Sequence, residues 1–221
     1  WKGQDPSFDN GYTYGHGSAL LLSGSWSKRG KSFLMQVKRA ENISFRGRRS
    51  AALSASTLNH LPPFAAQPTY ALTALYPYAT ANVPGEWAFR AEAAWTLPRR
   101  TAWGGHYGTT LRLRAAHIRD LAINDGPEGA EAMGTDGRRA RNFWAMGGTR
   151  YGEWALDAER RLNRDFRLHA TLMSQTIDRT AVEGHGGRVN TLIGILEGQW
   201  QANAKTALRA EAQYLDRKSV V

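Results

Sequence analysis

The chain has 221 residues, with 29 Lys and Arg against 19 Asp and Glu, and therefore a formal net charge of +10. It has no run of even ten apolar residues, which excludes a transmembrane helix, and no cysteine, which fits an envelope protein that avoids stray disulfides. The arginines are scattered over alternate positions and turns instead of one helix face, so we expect no nucleic acid among the partners.

Both ends of the chain indicate a longer parent. The sequence begins at Trp1 without an initiator methionine and stops at Val221, directly after a strand-like run. We therefore interpret residues 1–221 as part of a single domain that is incomplete at both ends. The mean hydropathy of −0.51 does not exclude a membrane β-barrel, because only every second residue of such a barrel faces lipid.

The first predicted elements form a hairpin that follows a loop at residues 1–17. Between Ser18 and Ser27 the even positions are apolar and the odd ones include three serines, and from Phe33 to Val37 the odd positions form an apolar face. The tight turn between the two segments can use Gly30, because glycine takes the positive φ that such turns require.

Residues 40–85 are interpreted as a long loop or an excursion over the mouth of the sheet. Pro62 and Pro63 exclude a central strand at their position, because proline lacks the amide donor. Thr69–Tyr76 alternates like a short strand, which leaves two interpretations open. Either it lies in the loop, which we favour, or it spans together with a second strand within Ser50–Leu61.

The clearest strand is Glu86–Leu97. Every second residue from Trp87 to Leu97 is apolar, while Arg90 and Glu92 fall between them. A strand of this length extends roughly 40 Å, or about 28 Å across a bilayer at a tilt near 45°, which matches the hydrocarbon core. Tryptophan near both ends suits the two membrane interfaces.

Apolar and polar residues alternate in four later segments. A fifth segment is apolar at both odd and even positions, so the sequence does not show which of its residues lie on which face of the sheet. The four are Trp103–Ala116, Phe143–Arg160, Phe166–Gln175 and Leu208–Tyr214, and the fifth is Val189–Trp200. Residues 119–142 and 178–188 are polar connections. Arg150 falls on an apolar parity, which predicts a bulge near Gly147-Gly148 or Gly152.

The connections alternate between short and long, as they do in outer-membrane barrels. Aromatic side chains are concentrated at the strand ends next to the short turns, and fewer lie near the opposite strand ends. A soluble β-sandwich does not require such a concentration. We therefore predict an all-β fold, an antiparallel up-and-down transmembrane β-barrel of which about eight spanning strands are present. The candidate membrane girdle is Trp26, Phe33, Trp87, Trp95, Trp103, Phe166, Trp200 and Tyr214.

The opposite parity carries charges that would line the lumen of such a barrel. Buried charges persist only when they are paired or hydrated, so we expect cross-strand ion pairs or a water-filled interior. Paired charges could merely hold the barrel rigid; the functional interpretation is a polar or anion-preferring passage. The candidate lumen-lining residues are Lys38, Arg90, Glu92, Arg112, Arg114, Asp157, Glu159, Arg167, His169, Arg209, Glu211 and Gln213.

Several short sequence segments resemble those of an uncharacterised family of outer-membrane β-barrel proteins from Bacteroidota, a domain of unknown function. The likeness covers about residues 33–215 and implies fold and location, with no established activity. These segments are Leu61–Phe64, Thr69–Leu72, Tyr76–Thr80, Gly104–Gly108, Glu183–Gly187 and Leu208–Leu215.

No constellation of residues predicts chemistry. The glycine-flanked histidines His16, His106 and His185 are a weak metal signal even with Glu183 nearby, since glycine-rich loops often contain histidine. The acidic residues of the 119–142 loop lack the spacing of a helix-loop-helix calcium site. His169 lies on the polar parity near Thr171 and Gln175, but any strand presents residues two apart on one face. We expect no catalytic residue, no cofactor and no metal.

The sequence therefore predicts a non-enzymatic protein of a Gram-negative outer membrane, a porin-like transport, secretion-associated or structural barrel with a polar lumen. Its partners would be outer-membrane lipid and possible envelope proteins. Two alternatives stay open. One is a soluble or surface-exposed β-protein that binds a ligand or partner, and the other is a barrel-embedded hydrolase that uses His169.

Overall fold

The computed structural model describes residues 2–4, 12–14, 17–43, 62–79, 85–123 and 140–220. Ten strands are present in this part of the chain, and eight of them form one antiparallel sheet. The first two strands, β1 (Lys2–Gln4) and β2 (Tyr12–Tyr14), pair separately, within a region that the sequence predicts to be a loop. The sheet strands are β3 (Ser18–Lys28), β4 (Lys31–Glu41), β5 (Gly85–Leu97), β6 (Thr109–Leu121), β7 (Met146–Arg161), β8 (Phe166–Asp178), β9 (Arg188–Asn203) and β10 (Thr206–Val220).

Each strand of the sheet pairs with its neighbours in sequence, from β3 at one edge to β10 at the other. This order confirms the predicted all-β, up-and-down arrangement of about eight antiparallel strands. The sheet is not closed, since β3 and β10 do not pair with each other within the described residues. No helix in the described part of the chain is long and apolar enough to span a bilayer.

The register divides the side chains between two faces of the sheet. Trp95 lies opposite Leu111, and that row continues through Ala158 to Leu196 on what we call the apolar face. The residues between these positions form the polar face. The strand Val189–Trp200, whose facing the sequence leaves open, directs Ile193 to the polar face.

The connections fall at two ends of the sheet, because consecutive strands are antiparallel. Residues 29–30, 98–108, 162–165 and 204–205 connect strands at one end, which we call the turn end. The connections between β4 and β5, between β6 and β7, and between β8 and β9 leave the sheet at the other end, which we call the loop end. The predicted short turn after Leu97 is in fact longer, because β6 begins at Thr109 and Trp103 lies in the connection.

Glycines shape this longer connection. Gly105 and Gly108 have φ of 63° and 93°, a region that other residues rarely adopt. A Cβ atom at Gly104 would lie 1.9 Å from the carbonyl oxygen of Pro98. The close approach of the two backbones therefore requires glycine at this position.

Replacing Gly104 by Ala is expected to destabilise the protein by about 1–3 kcal/mol, because the added methyl group forces the connection apart. Guanidinium unfolding followed by tryptophan fluorescence measures the change. Gly24→Ala is the matched control, since no atom lies within 4 Å of the position of its Cβ. Equal effects of the two substitutions would contradict the close packing at Gly104.

The bulge predicted near Arg150 is present. Ile118 pairs with Tyr151 and Arg119 pairs with Thr149, so Arg150 is the extra residue of β7. Its Nη1 donates a hydrogen bond to Oδ1 of Asp120 at 2.7 Å. The bulge thus moves Arg150 off the apolar face and brings it to a carboxylate partner.

Residues 62–79, which we call the crossing segment, lie across the polar face. Thr69–Tyr76, which alternates like a strand, does not join the sheet, and the chain forms a 3-10 helix at Leu72–Ala74. Thr73 Oγ1 accepts from the Tyr70 amide and donates to the Tyr70 carbonyl, which holds the preceding bend. The segment supplies the buried Phe64, Ala65 and Tyr78 to the core.

Trp87 differs from the other predicted girdle residues. Its side chain is 1% exposed, stacks on Trp144 and meets Phe143 edge to face, with both ring centroids at 5.8 Å. Arg39 anchors this cover, since its Nε donates to the carbonyl oxygen of Phe143 at 2.9 Å. The expectation that Trp87 faces lipid is therefore wrong, because the connection before β7 folds back over it.

Candidate functional site: the polar face of the sheet

The register places all twelve predicted lumen-lining residues on the polar face. Arg112 lies opposite Asp157, Glu159 opposite His169, and Arg167 opposite Gln199, and the other positions follow in steps of two along each strand. The alternation in the sequence therefore places these twelve residues on one face of the sheet. The twelve then divide into a group near the loop end, under the crossing segment, and a group that solvent reaches.

The first buried cluster joins the crossing segment to β4 and β5. Lys38 Nζ lies 2.6 Å from Oε1 of Glu86 and donates to the carbonyl oxygen of Pro62 at 2.5 Å. Tyr78 Oη donates to Oε2 of Glu86 at 2.5 Å. Lys38 is 2% exposed and Glu86 is fully buried. Burial raises the pKa of Tyr78 above its usual range, and the neighbouring Glu86 carboxylate adds to the increase.

The second cluster lies on β7 and β8. Glu153 accepts two hydrogen bonds, from the amide of Ala66 at 2.6 Å and from Tyr151 Oη at 2.7 Å. Gln175 Nε2 donates to Tyr151 Oη at 3.2 Å and to the carbonyl oxygen of Thr73 at 3.3 Å. These polar side chains satisfy the backbone of a segment that has no strand to pair with.

The third cluster connects Tyr70 with β8 and β9. Tyr70 Oη donates to Oε2 of Glu197 at 2.8 Å and lies 2.7 Å from Nδ1 of His169. The hydroxyl has a single proton, so His169 must donate from Nδ1 to the tyrosine oxygen. Arg209 Nη2 donates to the same Glu197 oxygen at 2.8 Å. Partial burial raises the pKa of Tyr70 to about 12, and the hydrogen bond to Glu197 adds to the increase.

The raised pKa of Tyr70 predicts a pH dependence. The folded value of about 12 lies above the ordinary value of 10.0, so the neutral phenol stabilises the folded state below pH 10. That stabilisation is lost as the pH rises from 10 through 12. Tyr70→Phe should remove a component near pH 12 from the tyrosinate absorbance titration, whereas Tyr214→Phe on the apolar face should leave it. Retention of the component in Tyr70→Phe would contradict the assignment.

The arrangement around His169 does not resemble a hydrolytic triad. Thr171 Oγ1 donates to Oδ1 of Asp157 at 2.7 Å, so the only nearby hydroxyl nucleophile on β8 is bonded to the carboxylate instead of the imidazole. His169 Nε2 lies 3.8 Å from the same carboxylate. A base must take the proton of its nucleophile, but the hydroxyl that contacts His169, that of Tyr70, donates its proton to Glu197.

The second part of the polar face lies toward the turn end and is reached by solvent. Arg112 is 51% exposed, and Glu92 lies 3.5 Å from both Arg90 and Arg112. Arg114 is more enclosed and pairs with Asp157 at 3.0 Å. Together with Tyr70 and His169, the latter pair borders a cavity of about 150 Å³.

No group of three His, Asp or Glu side chains with the geometry of a metal site occurs in the described part of the chain. His106 lies at the turn end and His185 at the loop end, so the two side chains cannot bind the same metal ion. His16 and the acidic residues at 125, 128, 131 and 136 lie outside the described residues. Asp120 is in β6 and pairs with Arg150.

Sequence reasoning missed the residues that bind the crossing segment. Tyr70, Tyr78, Tyr151 and Glu153 were not among the candidates, although each belongs to one of the three clusters. A usable signal was present in the tyrosines and paired prolines between residues 62 and 78, which suit a packed segment better than a solvated loop.

The fold and the site define a class of protein: an all-β protein with one up-and-down antiparallel sheet, whose polar face holds a segment of the same chain. A protein-family model described as a family of unknown function (DUF6029) matches residues 1–219, and the chain belongs to that family. Neither the curated proteins nor the solved structures contain a match.

Proposed function

We propose that this chain is part of an outer-membrane β-barrel whose polar face lines the lumen, and that it is a non-enzymatic transport, secretion-associated or structural barrel. Membership of a family of unknown function brings no activity of its own. The support comes from the division of the sheet into two faces, which is the arrangement that such barrels require.

The single observation that carries the proposal is the exposed apolar face. Large apolar side chains on seven neighbouring strands are each 41–56% exposed there, whereas water-soluble proteins rarely expose such a continuous patch. They include Leu22, Trp26, Phe33, Met35, Trp95, Leu113, Trp154, Leu156, Leu172, Leu192, Leu196 and Trp200. Such a surface is favoured in contact with the hydrocarbon core of a membrane.

The dimensions and borders of this face support the same environment. From Phe89 to Leu97 the chain rises roughly 27 Å, or about 20 Å across a bilayer at a tilt near 40°, close to the apolar band of outer-membrane barrels. Near the turn end, Trp26 pairs with Phe33 and Phe166 pairs with Trp200 across neighbouring strands. Aromatic side chains favour that depth because it is the membrane interface.

The alternative of a soluble or surface-exposed β-protein is favoured by one observation. The sheet is open, and the outer edges of β3 and β10 have no strand beside them in the described part of the chain. A ligand strand or a partner protein could pair at such an edge. In the barrel, further strands would occupy both edges.

Fractionation of cells that contain the intact protein separates the two proposals. A barrel should sediment with the outer membrane, resist washing with alkaline carbonate, and dissolve only in detergent. Recovery of the folded protein from the detergent-free soluble fraction would refute the barrel and favour the partner-binding alternative.

A further inference from the structure

The crossing segment lies where a barrel would have its loop-end entrance. The segment belongs to the loop-end connection between β4 and β5 and turns onto the polar face. It makes hydrogen bonds with residues of six sheet strands. These are Lys38 of β4, Glu86 of β5, Glu153 of β7, His169 and Gln175 of β8, Glu197 of β9 and Gln213 of β10.

The crossing segment packs closely against most of the strands of the sheet. Under it, Ala88, Ile118, Ile177, Val189 and Ile193 are each at most 1% exposed. These residues lie on β5, β6, β8 and β9, and the equally buried Tyr151 continues the row on β7. Water therefore has no path along this part of the polar face.

Two strips of the polar face extend beyond the crossing segment. One follows β10, where Arg209, Arg217 and Ser219 are exposed, and the other follows β3 and the turn-end half of β4. Leu21 on β3 is 58% exposed, and Ser23 and Ser25 beside it are also exposed. Their neighbours on β4, Leu34 and Gln36, are partly exposed. Any continuous path for solutes must therefore run along the uncovered strips at β3 and β10, beside the crossing segment.

The segment is fixed by charged partners and not only by apolar contact. The buried Lys38 and Glu86 bond to its two ends, at Pro62 and Tyr78. Arg209 and Arg217 of β10 lie over the rings of Tyr70 and Tyr76, at 5.9 and 5.5 Å from the centroids. Displacement of the segment would break the bonds of Lys38 to Pro62 and of Glu86 to Tyr78 and expose the apolar residues beneath it to water, which is unfavourable.

We infer that the crossing segment is a fixed constriction that limits the passage to small hydrophilic solutes and ions and excludes polypeptides. This inference rests on the proposed barrel function and narrows it, because a secretion channel would have to expel a segment that six strands hold. The segment thus determines the size of the solutes by occupying the polar face from β4 to β10.

Single-channel conductance of the intact protein in planar bilayers tests the inference. In a release variant, residues 67–76 are replaced by a Gly/Ser linker of equal length, which removes the contacts of Tyr70, Leu72 and Thr73. The expected result is a several-fold rise in conductance over wild type, or channels where wild type shows none. Tyr214→Ala, on the apolar face, is the control and should conduct like wild type.

A second measurement keeps the inference testable if the release variant does not assemble. These 221 residues contain no cysteine, so Thr69→Cys, which is exposed on the crossing segment, introduces the only thiol within them. A charged thiol reagent should reduce its conductance, and Leu75→Cys, also exposed there, should behave alike.

The outcomes distinguish this inference from the proposed function. A barrel that migrates as a heat-modifiable species but conducts equally in wild type and the release variant, with no effect of the thiol reagent, would overturn the constriction and leave the barrel intact. A soluble protein that forms no channels in any variant would overturn both.

Discussion

Replacing Glu86 by Ala is expected to destabilise the folded protein by about 3–5 kcal/mol, because it leaves the ammonium group of Lys38 buried without its carboxylate. Lys38 is 2% exposed and lies 2.6 Å from Oε1 of Glu86, so water cannot replace the lost partner without opening the core. Tyr78 loses its acceptor in the same variant. Guanidinium unfolding followed by tryptophan fluorescence measures the loss.

Two further variants show whether the loss comes from the uncompensated charge. Glu92→Ala removes a carboxylate whose nearest arginine contacts are 3.5 Å long and solvent-exposed, so its effect should stay below about 1 kcal/mol. Lys38→Met combined with Glu86→Leu removes both charges and should recover much of the loss. A double variant no more stable than Glu86→Ala would contradict this explanation.

Replacing Leu172 by Arg should distinguish lipid from water at the apolar face. The side chain is 42% exposed and lies between Leu156 and Gly194, midway along the apolar face. In a bilayer the substitution should cost about 2–4 kcal/mol, because the midplane cannot solvate a guanidinium. In a water-soluble sheet an exposed substitution should change stability by only about 0.5 kcal/mol.

The matched control for this prediction is Ser25→Arg. Ser25 is exposed on the polar face of β3, opposite Leu34, so the same added charge would face the lumen and not the lipid. Unfolding from lipid vesicles, or the yield of membrane-assembled protein, measures both variants. If Leu172→Arg assembled as well as Ser25→Arg, the apolar face would not be in contact with hydrocarbon.

The sheet could be predicted from the sequence because alternation is a local signal. In β5 the change from Phe89 to Arg90 to Ala91 shows the two faces directly, and the register then aligns them across eight strands. The bulge at Arg150 was predictable for the same reason, since a single arginine on an apolar parity requires one extra residue to move it off the apolar face. Tight turns such as that at Gly30 were equally local.

An excursion over the mouth was predicted for residues 40–85, but the contacts of the crossing segment could not be predicted, because they join residues far apart in sequence. Alternation at Thr69–Tyr76 is present, yet the hydrogen bonds of Tyr70 to Glu197 and Leu72 to Gln213 outweigh that local preference. Trp87 shows the same limit. Its parity is that of the apolar face, but Phe143 and Trp144 from a distant connection bury it.

Closure of the sheet into a membrane barrel is the central claim, and heat-modifiable migration tests it most directly. The intact protein from the outer-membrane fraction is run on detergent gels with and without boiling. We predict faster migration of the unboiled sample, because a closed barrel resists the detergent and stays compact. Identical migration of the two samples, with the protein in the soluble fraction, would contradict the claim.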